Sequence, residues 1–108
     1  MKIRDVSMVE EFYDDYAGAP NHVKKRVDNK IRIMGEAVQT NGWCHLPNSF
    51  NAHKVGNVPD LWIGYITVGN QGWRVLFDVD VKGTLRFLRL LSHDNMDFLL
   101  MQLQRWET

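Results

Sequence analysis

Trp73-Arg74-Val75-Leu76-Phe77-Asp78-Val79-Asp80-Val81-Lys82-Gly83-Thr84-Leu85-Arg86-Phe87-Leu88-Arg89-Leu90-Leu91-Ser92-His93-Asp94 decides how this chain is read. Trp73, Val75, Phe77 and Val79 recur at every second position, the period of a strand with one buried face. The spacing predicts a strand over 73–81, a turn at Lys82-Gly83 and a second strand over 84–92. Antiparallel pairing sets the start of one strand beside the end of the next. Arg74 and His93 are thereby expected to meet on one sheet edge. A cation beside a titratable imidazole suits phosphate chemistry. Ordinary strand-end polarity, or a salt bridge from Arg74 to Asp94 or Asp78, is the competing explanation.

Working outward, Leu61 to Val68 is rich in aromatic and β-branched residues and predicts another strand, followed by a turn at Gly69-Asn70-Gln71-Gly72. After 92, Asp94 is placed to cap a last helix carrying Phe98, Leu99, Met101, Leu103 and Trp106. Upstream, Met8, Phe12 and Tyr16 recur every four residues, predicting a helix over 8–17. Ser7 and Glu10 have capping-box spacing, and Gly18 and Pro20 stop the helix. Val23, Val27, Ile31, Met34 and Val38 form an amphipathic stripe over 21–38. A short strand is expected within 2–6. Residues 40–60, broken by Gly42, Pro47, Gly56 and Pro59, read as a long loop pinned by Leu46, Phe50 and Val55. The fold class is α+β: an N-terminal helical hairpin packed on an antiparallel meander, with a C-terminal helix.

The 108 residues fit one domain over 1–108. Four Trp, three Tyr and five Phe supply a core. No apolar run approaches the roughly 20 residues of a membrane span, and Met1-Lys2-Ile3-Arg4-Asp5 is not the apolar stretch of a signal peptide. The lone Cys44 has no partner for an internal disulfide, so a reducing, cytoplasmic setting is expected. Thirteen basic residues balance thirteen acidic ones, which counts against general nucleic-acid binding. The charge is uneven, however, with Lys24, Lys25, Arg26, Lys30 and Arg32 set against Asp28. Cys44, His45 and His53 show no repeated ligand spacing, so no metal is expected. No phosphate-binding glycine loop or nucleophile elbow occurs, and no cofactor is implied. Asp78 and Asp80 lie beside a turn, where Asp is common, which weakens a paired-carboxylate reading.

Gly72-Trp73-Arg74-Val75-Leu76-Phe77, Leu90-Leu91-Ser92-His93-Asp94, and Lys54-Val55-Gly56 ahead of Asp60-Leu61-Trp62-Ile63-Gly64-Tyr65 together resemble the RelE/ParE superfamily of bacterial toxins. The similarity runs over about residues 8–98. It implies the toxin of a type II toxin–antitoxin pair. Many members are ribosome-dependent mRNA endonucleases that cut the backbone without a metal, through the 2′-hydroxyl. The resemblance makes Arg74, His93 and Lys54 the expected catalytic residues, and Tyr65, Arg89 and Phe98 the expected substrate contacts. The implied partners are a cognate antitoxin, the ribosome and mRNA. The chain departs from the pattern at Tyr65, where family strands often carry Arg, at Phe98, which has no hydroxyl, and in its neutral charge. A ParE-type, non-enzymatic inhibitor of DNA gyrase and an inactive interaction module on the same fold are the alternatives.

Overall fold

The computed structural model describes residues 1–56, 58–68 and 72–106, with side chains through Leu103. The elements are β1 (Lys2–Ile3), β2 (Asp5–Met8), α1 (Glu10–Ala17), α2 (Asn21–Asn41), β3 (Cys44–His45), a 3₁₀ turn (Asn48–Phe50), β4 (His53–Lys54), β5 (Leu61–Tyr65), β6 (Trp73–Val79), β7 (Thr84–Ser92) and α3 (His93–Trp106). Five strands form one sheet in the order β2-β7-β6-β5-β4, and β1 pairs with β3 separately.

The central strands β5, β6 and β7 pair antiparallel in chain order, as their alternation predicts. The sheet as a whole is mixed rather than a pure antiparallel meander, because β2 runs parallel to β7, with Asp5 opposite Thr84 and Met8 opposite Phe87. The segment expected as one strand over 2–6 therefore splits. Lys2–Ile3 joins β3, Asp5–Met8 joins the main sheet, and between them the Arg4 N–H donates to the Gly83 carbonyl at 2.8 Å. Ser7 belongs to β2, so it caps nothing. α1 starts at Glu10 behind Val9, which makes no side-chain cap bond.

Other boundaries move for identifiable reasons. α2 continues past 38 to Asn41, where Gly42 takes the left-handed conformation (φ 81°) and donates its N–H to the Val38 carbonyl. β5 ends at Tyr65 rather than 68, because Thr67 Oγ1 accepts the Trp73 N–H at 2.7 Å. Of the turn predicted at Gly69-Asn70-Gln71-Gly72, residues 69–71 lie outside the described residues. β6 ends at Val79 rather than 81: Asp80 accepts the N–H groups of Lys82 (2.9 Å) and Thr84 (3.0 Å) and closes the turn itself. The loop over 40–60 contains β3, the 3₁₀ turn and β4, and Phe50 and Val55 in it are buried.

Strand parity separates two cores. Phe77 and Val75 face the helical hairpin and pack with Phe12, Val23, Val27, Met34, Phe50 and Phe87. Leu61, Ile63 and Leu76 face the other way, onto Met96 of α3 with Leu99 and Leu100 beside it. The molecule is thus layered as hairpin, sheet and α3. A β-bulge interrupts the β6–β7 ladder between Leu76 and Phe77: Leu76 pairs with Arg89 and Phe77 with Phe87, leaving Leu88 unpaired. Among the described residues no helix is long and apolar enough to cross a membrane.

Candidate functional site

The site is built on the α3 face of the sheet, at the end where β5 finishes and β6 begins. Tyr65 pairs with Arg74, and Arg74 pairs with Leu91. Directly paired residues point to one face, here the face of Ile63, Leu76 and α3. The Arg74 guanidinium lies 4.8 Å from the centroid of the Tyr65 ring, a cation–π contact. Its side chain is only 14 % exposed. Its Nε is buried with no hydrogen-bond partner among the described residues.

β7 ends at Ser92 as its pattern predicts, His93 is the first residue of α3, and Asp94 follows it in the first turn rather than capping the helix. One helical turn onward, Asp97 connects the two expected residues. Its Oδ1 lies 3.7 Å from Arg74 Nη1, and its Oδ2 lies 3.5 Å from His93 Nε2. His93 Nδ1 lies 3.1 Å from Asp94 Oδ1. A neutral imidazole carries one proton, so it donates through one nitrogen at a time, whereas the imidazolium donates through both. Arg74, His93 and Tyr65 are therefore gathered on one face, with Asp97 shared between the first two.

The Asp97 contacts are longer than the roughly 2.7–2.9 Å of a charge-assisted hydrogen bond. Asp97 is also half exposed, at 53 %. A carboxylate this loosely held leaves the Nη edge of the guanidinium available to an anion with more acceptor oxygens. A phosphate has the geometry to accept from a guanidinium through two N–H groups at once.

His53 stands on the same face. It pairs with Ile63 on the edge strand β4, and its ring centroid is 5.7 Å from that of Tyr65. In the sequence His53 stands out only as a possible metal ligand, and Asp97 does not stand out at all. The i,i+4 spacing of His93 and Asp97 was the available signal for the latter.

The remaining expected residues go elsewhere. Lys54 pairs with Trp62, whose side chain packs on the hairpin side, and its Nζ sits 5.6 Å from the Trp62 ring centroid. It does not join Arg74 and His93, because adjacent residues on a strand face opposite ways. Arg89 is occupied by Asp15, with Nε to Oδ2 at 2.7 Å and Nη2 to Oδ1 at 3.2 Å. Asp15 also accepts the Leu90 N–H. The Asp15 hydrogen bonds hold the Arg89 guanidinium pKa above its ordinary value, and the pair fastens α1 to β7. Phe98 is 63 % exposed on α3. Asp78 pairs with Arg86 at 2.7 Å, so the salt-bridge alternative for Arg74 resolves to Asp97 rather than to Asp78 or Asp94. Cys44 is buried, which pushes its thiol pKa up. No cluster of three or more potential metal ligands occurs among the described residues.

The architecture that carries this site recurs in solved toxin–antitoxin complexes. One chain of the RelB–RelE antitoxin–toxin complex from Methanococcus jannaschii superimposes with a TM-score of 0.63 at 22 % identity, over 85 % of this chain and 95 % of that one. A chain of the RelE–RelB complex from Pyrococcus horikoshii OT3 gives 0.52 at 19 % identity, over 82 % and 92 %. A chain of the intact E. coli RelBE toxin–antitoxin complex gives 0.51 at 12 %, over 81 % and 93 %. No protein-family model matches the sequence, and no curated protein matches it significantly. At these identities the likeness establishes the fold, which is the RelE fold.

Proposed function

We propose that this protein is the toxin of a type II toxin–antitoxin pair and cuts mRNA on the translating ribosome, in the cytoplasm, using side chains alone. The observation that carries the reading is the shared carboxylate: Arg74 and His93 converge on Asp97, beside Tyr65, on a RelE fold. In the proposed reaction the scissile phosphate takes the place of Asp97 against Arg74. The 2′-oxygen attacks phosphorus, the bond to the 5′-oxygen breaks, and a 2′,3′-cyclic phosphate and a 5′-hydroxyl result. Arg74 neutralises charge that develops on the phosphoryl oxygens. His93 moves the proton at one of these two oxygens and solvent water the proton at the other, an imidazole being able both to take and to give a proton near neutral pH. Tyr65 holds the guanidinium from behind and orients the phosphate or its sugar.

Induced expression followed by mapping of mRNA 5′ ends tests this reading. New ends should appear within translated regions and disappear from a message whose start codon has been removed. Growth arrest without new ends, accompanied by inhibited DNA supercoiling, would favour the gyrase-binding reading instead.

The displacement of Asp97 has its own expected consequence. Two unit charges about 4 Å apart in water interact by about 1 kcal/mol. Asp97→Asn should therefore tighten pyrophosphate binding roughly fivefold by titration calorimetry. Unchanged or weaker binding would mean that the anion does not sit where Asp97 does.

The partner we propose is an antitoxin encoded by a neighbouring reading frame. An apolar groove of about 400 Å³ beside the hairpin is lined by Phe12, Tyr13, Tyr16 and Ile31 with Arg32 and Asp28, and Lys24 lies over the Tyr16 ring. It suits an amphipathic segment carrying acidic residues. Co-purification with the neighbouring product checks this, and no complex even at low salt would refute it.

A further inference from the structure

A second concave surface lies at the far end of β6. Lys2, Arg4, Lys54 and Lys82 line a cleft of about 660 Å³ together with Trp62. These cations come from β1, the β1–β2 connection, the edge strand β4 and the β6–β7 turn. None of the four makes an ion pair among the described residues. Two carboxylates, Asp60 and Asp80, share the cleft. The Asp80 carboxylate is engaged by the backbone N–H groups of Lys82 and Thr84. The balance is an excess of positive charge in a chain whose formal net charge is zero.

The cleft is separate from the Arg74 site. Trp62 and Lys54 face the hairpin side of the sheet, whereas Arg74 faces α3. Arg74 and Val79 are also five residues apart on β6, about 17 Å along an extended strand. The two places connect at the β4 edge, where His53 faces the Arg74 side and its neighbour Lys54 faces the cleft.

The chemistry selects a ligand. Cations drawn from four chain segments around a space much larger than one phosphate suit a chain of phosphates. A half-buried indole with a lysine ammonium over its ring gives a base a surface to stack on once the lysine swings onto a phosphate. We propose that this cleft binds the sugar–phosphate backbone of single-stranded RNA, with Trp62 stacking a base, and that the strand passes round the β4 edge from the phosphate held at Arg74. The inference rests on the proposed RNA substrate, but its test reads binding rather than cleavage.

The probe is a fluorescein-labelled oligouridylate, followed by anisotropy across a salt series. The comparison is between the unaltered protein, Lys2→Ala/Lys82→Ala and Arg74→Ala, each checked for folding by urea titration. Both lysines are exposed, so the double variant should fold. Each lost contact to a single-strand phosphate lowers the salt slope by about 0.7. The double variant should therefore lose about 1.4 in slope and bind roughly tenfold more weakly at low salt. It should still generate mRNA ends when expressed in excess, whereas Arg74→Ala should not. An unaltered slope and affinity in the double variant would overturn the cleft assignment while leaving the cleavage reading standing. So would no oligonucleotide binding by the unaltered protein at low salt. Loss of an acidic partner protein from the double variant, with oligouridylate binding intact, would make the cleft a protein interface and equally overturn the proposal.

Discussion

Arg74→Ala and His93→Ala should each relieve growth arrest on induction, at soluble expression equal to that of the parent. Removing a group that transfers a proton in the transition state costs about 10²–10⁴-fold in rate. Removing a preorganised cation or donor from a developing oxyanion costs about 10²–10³-fold. A plate assay resolves effects of that size. Folding should survive both changes. The Arg74–Asp97 contact is 3.7 Å long and its acidic partner is half exposed, so the ion pair itself contributes no more than about 1 kcal/mol; a urea titration of Arg74→Ala separates the packing lost with this largely buried side chain from lost chemistry. The side chain of His93 is 30 % exposed at a helix start. Lys would keep the charge at position 74 but lose the planar fork that meets a phosphate through two N–H groups at once. Arg74→Lys should therefore recover only part of the toxicity. If Arg74→Ala and His93→Ala both remain as toxic as the parent, the site assignment fails.

The second large effect is on stability. Phe87 is 1 % exposed and sits where the hairpin meets the sheet, its ring 5.3 Å from that of Phe12 and 6.2 Å from those of Phe50 and Phe77. Truncation removes the ring and leaves a cavity bounded by α1, the 3₁₀ turn and β6, none of which can collapse onto it without moving the others. Phe87→Ala should destabilise the protein by about 3–5 kcal/mol, read as a lowered urea midpoint at an unchanged slope. Phe98→Ala, on the exposed side of α3, should change stability by no more than about 0.5 kcal/mol. Equal effects from the two variants would contradict the layered core.

The parts of the fold that were legible in the sequence are those with long periodic signals. Trp73, Val75, Phe77 and Val79 alternate over enough residues to define a strand and its buried face, and the stripe from Val23 to Val38 defines α2. β2 was obscured because Asp5-Val6-Ser7-Met8 is short and Ser7 with Glu10 imitates a helix start. Its parallel partner β7 lies almost eighty residues away, and no local pattern reports such a pairing. β3 and β4 have two residues each, too few for any alternation to register.

The site was legible to a similar degree. That Arg74 and His93 share one end of the sheet follows from hairpin pairing alone. That Asp97 lies between them depends on α3 beginning at His93, which sets the two residues one turn apart. Lys54 precedes β5 closely in sequence, yet its face is fixed by the β4–β5 register, which puts it opposite Trp62 and away from Arg74. Arg89 carries the charge of a phosphate contact. Only the return of α1 beside β7 shows that Asp15 already holds it.

Cleavage through the 2′-hydroxyl needs that oxygen beside the scissile phosphate. That requirement is tested most directly by translating an mRNA that carries a single 2′-deoxynucleotide on the 5′ side of a mapped cut. This bond should stay intact while the all-ribose message is cut there and leaves a 2′,3′-cyclic phosphate. Cleavage of the deoxy-substituted bond at the same rate, or growth arrest with no cut message at all, would contradict cleavage through the 2′-hydroxyl.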